Sequence, residues 1–287
     1  MSRIFEALQQ ANPDFGRPLS EASESPQRLS PFAAALIGEV PVMEEASQFA
    51  LPRDSESRLV AWTQPNSLAA ENLRTLSARL RQSQQRRQLR RILVTSAVQG
   101  DGKSTISANL AITLAAQGER TLLLDGDLHQ PSLATTLGVN GERGFVDWCE
   151  ESDLTASPLL HAEGLPLWIL PAGICKDQPL NVLQSSAASE LLRQLGEWFS
   201  WIVIDSPPLV PLTDANVWAT ASDAVLLVVR EGATPRKALA KCLESVEKSK
   251  LFALVMNDAT SQEERYYRDY YNASGPVRVV SKAASKG

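Results

Sequence analysis

The ten residues SAVQGDGKST, 96–105, admit few structural settings. A glycine-bearing loop followed by Lys103, Ser104 and Thr105 is built to wrap phosphate, provided that a strand precedes it and a helix follows. Both flanks meet that condition. Ile92, Leu93 and Val94 make a short apolar run that reads as a buried strand. From Ser104 to Gln117, Ile106, Leu110 and Leu114 recur every four residues as one helix face, and Gly118 supplies the stop. Gly100 and Gly102 let the backbone turn its amides, with that of Asp101 between them, toward phosphate oxygens, and the helix N-terminus adds partial positive charge. Lys103 reaches toward the β- and γ-phosphates of a nucleotide, and the Ser104 hydroxyl is placed to ligate magnesium. Ala97 stands where such loops usually open on glycine.

Two further apolar runs end in acids. TLLLDGDLHQP, 121–131, puts Asp125 and Asp127 just beyond Leu122, Leu123 and Leu124; WIVIDSPP, 201–208, ends its run on Asp205. In an open α/β sheet, ligands bind outside the carboxyl ends of the strands, so these acids share an edge with the phosphate loop. A single aspartate at a strand end is usually a loop or cap residue. Three of them beside a phosphate loop repel one another without a cation, and point to a metal site. Magnesium takes one or two carboxylates, substrate phosphates and waters in octahedral geometry. From Arg91 onward strands and helices alternate, which predicts an α/β fold with a mostly parallel sheet flanked by helices. A helix is expected from Ser67 to about Arg90, and another over residues 234–250 with Thr234 as N-cap and Pro235 at the first position. Phe252–Met256 reads as the last strand.

All four tyrosines lie in RYYRDYYNAS, as Tyr266, Tyr267, Tyr270 and Tyr271. Charged and amide residues flank them, so the cluster reads as solvated. Taken alone it suggests a sticky tail, or a terminal helix docking through Tyr267 and Tyr271. Beside a phosphate loop, it reads as a substrate for phosphoryl transfer.

Together these motifs resemble the bacterial tyrosine autokinases of capsule and exopolysaccharide systems, the CpsD/CapB type, over roughly residues 65–271. The likeness also takes in TDA at 213–215, SDAVLLVVREG at 222–232, LPAG at 170–173 and VMN at 255–257. It implies a P-loop NTPase fold of the partitioning-ATPase-like class. It implies an ATP-dependent, magnesium-dependent kinase that phosphorylates the tyrosine tail of a neighbouring subunit. By that likeness Asp125 helps activate the attacking phenol, Asp127 and Asp205 hold magnesium directly or through water, and Asn257 lies near the adenine. The family further implies a homo-oligomeric ring when unphosphorylated, and a membrane polysaccharide co-polymerase that activates a cytoplasmic kinase at the inner membrane. Three positions depart from the family pattern: Gln99 replaces a common proline, and His129 replaces an arginine after the paired aspartates. In the helix from Ser67, Glu71 and Arg74 match an assembly motif whose last arginine is here Ser77.

The remaining features bound these readings. With 287 residues, 44% of them hydrophobic, the chain suits one sizeable domain with appendages. Its net charge of −5 argues against general nucleic-acid affinity. Cys149, Cys175 and Cys242 share no disulfide or metal spacing, so reduced thiols are expected. No apolar run approaches a membrane span. Residues 1–66 read as a mostly flexible segment, with a short amphipathic helix over 2–11 and pieces that dock. Residues 67–260 read as the kinase domain and 261–287 as the tail. The helix from Ser67 carries many arginines, a solvated face or a surface for an acidic partner or anionic membrane. Two rival functions use the same fold. A positioning ATPase usually has a lysine five residues before Lys103, where this chain has Val98. The intact Lys103, Ser104 and three acids argue against a non-catalytic nucleotide switch, while His129 keeps that reading open.

Overall fold

In chain order the first elements are β1 (Ser47–Phe49), α1 (Val60–Thr63), α2 (Leu68–Gln84), β2 (Arg91–Ser96), α3 (Lys103–Ala116) and β3 (Thr121–Asp125). There follow α4 (Leu133–Leu137), α5 (Phe145–Glu150), β4 (Leu160–Ala162), β5 (Leu167–Leu170), α6 (Pro179–Leu183) and α7 (Ser186–Trp198). The last are β6 (Trp201–Asp205), α8 (Asp214–Ala221), β7 (Ala224–Arg230), α9 (Arg236–Ser245) and β8 (Leu251–Asn257). The computed structural model describes Met43 and residues 46–54, 57–150, 157–176, 178–210 and 214–259. The expected helix over 2–11 and the four tyrosines lie outside the described residues.

The strands form one eight-stranded sheet in the order β1-β4-β5-β3-β6-β2-β7-β8. Every neighbouring pair is parallel except β4 and β5. The central strands β3, β6 and β2 are buried almost throughout, because helices cover both faces of a parallel sheet and leave no side for polar residues. Helix α3 is also buried on nearly every side, packed under the sheet with Leu110, Ile112 and Leu114 in the core. No helix among the described residues is long and apolar enough to cross a membrane.

Several boundaries differ from expectation. Helix α2 begins where expected, with Ser67 as its N-cap accepting the Ala70 N–H through its hydroxyl, but it ends at Gln84 rather than near Arg90. There the Gln84 amide turns back to donate to the Leu89 and Ser200 carbonyls. Helix α9 covers Arg236–Ser245, not 234–250, and its N-cap is Pro235. Thr234 is unavailable as a cap because its hydroxyl serves Arg230 and Asp101. Two short elements precede Ser67: β1 pairs with β4, and α1 follows Leu59, which is fully buried. They are docking pieces within the stretch read as linker.

The order of strands decides where chemistry can occur. β6 lies between β3 and β2, so the loops leaving β2, β3 and β6 are neighbours at one edge of the sheet.

Candidate active site

The phosphate loop leaves β2 and closes on α3. Gly100 has φ +87° and Gly102, the N-cap of α3, has φ +94°, left-handed values that glycine adopts without strain. Asp101, between them, is buried. Its carboxylate accepts the Val98 N–H at 3.3 Å and the Thr234 hydroxyl at 2.7 Å, while the Thr234 oxygen accepts the Arg230 N–H. Asp101 thus ties the loop to the end of β7. Asn257, at the end of β8, donates to the Asp101 carbonyl at 3.0 Å, and its amide nitrogen stands 2.0 Å from where a Cβ on Gly102 would be. The residue expected beside adenine therefore lies against the phosphate loop itself. The Ser104 hydroxyl accepts a hydrogen bond from Ser132 at 2.9 Å. Thr105, the other hydroxyl of the motif, is half-buried in the first turn of α3.

Lys103 and the three acids converge beneath the loop. Lys103 is buried, and its Nζ meets Asp127 Oδ2 at 3.0 Å. Burial works against its charge, but Asp205, Asp127 and Asp125 outweigh that and hold its pKa above the ordinary lysine value. Asp125 and Asp205 sit opposite each other on adjacent strands, both fully buried. Burial, reinforced by the charge of Asp205, lifts the Asp125 carboxyl to about 7. Burial lifts Asp205 to about 6, against the pull of Lys103. One cation thus serves three carboxyl groups crowded where water cannot screen them.

The three acids differ in what holds them. Asp125 Oδ1 accepts the Asp127 N–H, and its Oδ2 accepts the Ser132 and Leu133 N–H groups at 3.1 and 3.0 Å, so it caps α4. Asp127 Oδ1 accepts the Gln130 N–H. Asp205 Oδ1 accepts the Ser107 hydroxyl at 3.1 Å, whereas its Oδ2 is buried without any hydrogen-bond partner. A buried carboxylate oxygen left unpaired is costly and fits a ligand that supplies a cation or a bound water. The three acids do not form a cage of their own: among the described residues no three acidic, imidazole or thiol side chains converge to hold a metal. That suits magnesium, which keeps waters and substrate phosphates in its shell.

Contacts invisible in the sequence complete the site. Gly126, between Asp125 and Asp127, donates its N–H to the Asp205 carbonyl at 2.7 Å. Its own carbonyl accepts the Trp218 indole N–H at 2.9 Å. A Cβ on Gly126 would meet the Asp205 carbonyl and the Trp218 ring, each at 2.8 Å. His129 Nε2 lies 2.7 Å from Asp214 Oδ2. Gln99 donates to Gln130, joining the phosphate loop to the segment after β3. Each of these links joins residues far apart in the chain, so only the fold brings them together.

The ParA family model, described as NUBPL iron-transfer P-loop NTPase, matches residues 88–255. Tyrosine-protein kinase YwqD of Bacillus subtilis strain 168 is 29% identical over 217 residues, 75% of this chain and 92% of that one. Succinoglycan biosynthesis transport protein ExoP of Rhizobium meliloti strain 1021 is 31% identical over 244 residues, 83% of this chain but 31% of ExoP. Among solved structures, the VpsO kinase domain has 32% identity and a TM-score of 0.56, covering 68% of this chain and all of that one.

Proposed function

The chain belongs to the ParA family of P-loop NTPases, on the branch of the CpsD- and CapB-like bacterial tyrosine kinases, and from this we propose that it is an ATP-dependent protein-tyrosine autokinase. Its acceptors are Tyr266, Tyr267, Tyr270 and Tyr271, phosphorylated between subunits. The observation that carries the reading is the meeting of Lys103, Asp127 and Asp205 beneath the phosphate loop, in a chain whose every tyrosine lies in one cluster.

The residues divide the work by position. The loop amides and Lys103 cradle the phosphates of ATP; Lys103 must first exchange Asp127 for phosphate oxygen, a swap of one anion for another. Ser104, Asp127 and Asp205 are the groups that hold magnesium, directly or through water, and Asp205 Oδ2 is the oxygen with a free valence for it. When bound, magnesium offsets charge on the β- and γ-phosphates. A phenol is protonated at neutral pH, so its attack on the γ-phosphorus needs an acceptor for the proton. Asp125, raised to about 7, is tuned for that exchange. Its Oδ2 already accepts from Ser132 and Leu133, so a phenol would compete for it with the start of α4.

The ExoP match extends the reading. A segment like this chain forms part of a longer protein whose name records polysaccharide transport. We therefore place the kinase beside a membrane co-polymerase of exopolysaccharide or capsule assembly, which recruits it to the inner membrane and stimulates it. The alternative of a positioning ATPase lacks support in the loop, where Val98 replaces the lysine of that class. The test is mass spectrometry of the full chain incubated with ATP and magnesium, beside Lys103→Met. Phosphate on residues 266–271 of the wild type alone is expected. ATP hydrolysis with unmodified tyrosines would favour the nucleotide switch.

A further inference from the structure

Helix α8 touches the segment after β3 twice. Trp218 donates its indole N–H to the Gly126 carbonyl in a fully buried bond of 2.9 Å. Four residues earlier on the helix, Asp214 accepts from His129 Nε2 at 2.7 Å. Residues four apart share a helix face, so one side of α8 presents both groups. Their partners, Gly126 and His129, bracket Asp127. Gly126 is pinned a second time by its N–H to the Asp205 carbonyl, with no room for a Cβ. Asp127 therefore hangs from a backbone held on both sides.

That arrangement answers a physical problem. Asp127 is buried among Asp125, Asp205 and Lys103, and like charges favour its swinging away whenever Lys103 turns to phosphate. Magnesium tolerates little departure from octahedral geometry. We propose that Trp218, Asp214 and His129 are positioning residues, and that α8 is a strut fixing Asp127 relative to Asp205 and the phosphate loop. The inference rests on the reading of Asp127 and Asp205 as the acids that serve nucleotide-bound magnesium.

Trp218 also packs on Phe145, with ring centroids 5.4 Å apart, so a purely structural role must be separated from positioning. Trp218→Phe keeps an aromatic ring and loses the N–H; His129→Leu loses the donor, and His129→Gln keeps one. In the full-length chain, calorimetry would measure ADP affinity with and without magnesium, beside kcat and the magnesium dependence of phosphoryl transfer. Trp218→Phe and His129→Leu should each raise the magnesium requirement by up to about 10-fold, the low end of the loss when a direct partner of a metal ligand is removed, because both act on Asp127 through its backbone neighbours. Metal-free ADP affinity should not change, because the phosphate loop is untouched, and His129→Gln should recover most of the loss. Unshifted magnesium dependence in both folded variants would overturn the proposal. So would a fall in metal-free ADP affinity in step with unfolding temperature, which signals general loosening. A wild type that transfers no phosphate, while magnesium-supported ADP binding shifts as expected, would remove the kinase reading and leave the strut standing.

Discussion

Gly126 is confined by a backbone carbonyl and a buried indole ring. A methyl group there enters the space of the Asp205 carbonyl and the Trp218 ring together. Gly126→Ala should lower stability by about 1–3 kcal/mol, the cost of overpacking a dense interior. Thermal unfolding checks this. The proposed function gives the acids separate roles. Asp127→Asn should be rescued in part by high magnesium, whereas Asp125→Asn, lacking the proton acceptor, should not; equal rescue of both in a magnesium titration would contradict the division. Their burial also has a thermodynamic signature. Asp125 and Asp205 keep a proton in the folded chain at pH values where the unfolded chain, with carboxyls near 3.8, has lost it. Folding therefore takes up protons between about pH 4 and 7, and these two groups make the nucleotide-free protein less stable as pH rises through that window. Asp205→Asn should flatten the slope of melting temperature against pH over the same range.

Element by element, Ser77 shows how a sequence motif is reset by packing. It is fully buried; its hydroxyl donates to the Arg74 carbonyl and accepts from Gln117 at 2.7 Å, joining α2 to the end of α3. An arginine there would have to bury its charge or force α2 off α3. Ser77→Arg should thus cost about 1–3 kcal/mol, read by denaturant unfolding, rather than restore a surface contact. What the chain revealed in advance follows from the same physics. The central strands were legible because a parallel sheet buried on both faces demands unbroken apolar runs, as in Leu122–Leu124 and Ile202–Ile204. The phosphate loop was legible because its glycines, lysine and hydroxyls are contiguous. Strands β1 and β4 are three residues each, too short to carry a period. Asp101 and Thr234 meet from 133 positions apart, and His129 and Asp214 from 85, so no local pattern announces either pair. The start of α9 was misplaced for that reason: Thr234 has cap chemistry, but a distant aspartate claims it.

For the whole molecule, the active edge and the acceptor tyrosines need not belong to one chain. If phosphorylation passes between subunits, mixing Lys103→Met with the Tyr266, Tyr267, Tyr270, Tyr271→Phe variant should place phosphate on the former's tail, seen by mass spectrometry. Each phosphate adds about −1.5 to −2 charges, so several per subunit oppose a ring of identical contacts. Light scattering should find dephosphorylated protein associated and phosphorylated protein monomeric.

The split between indoles and phenols has an optical consequence. All six tryptophans lie among the described residues of the folded body, and all four tyrosines lie at 266–271. Red-edge excitation would isolate indole emission, to which Trp218, bonded to the backbone carbonyl between Asp125 and Asp127, contributes. Phenol absorption, which changes when the ring oxygen is esterified, would report the acceptor segment alone. The protein thus carries two separate spectroscopic channels, one for the folded body and one for residues 266–271, without any added dye.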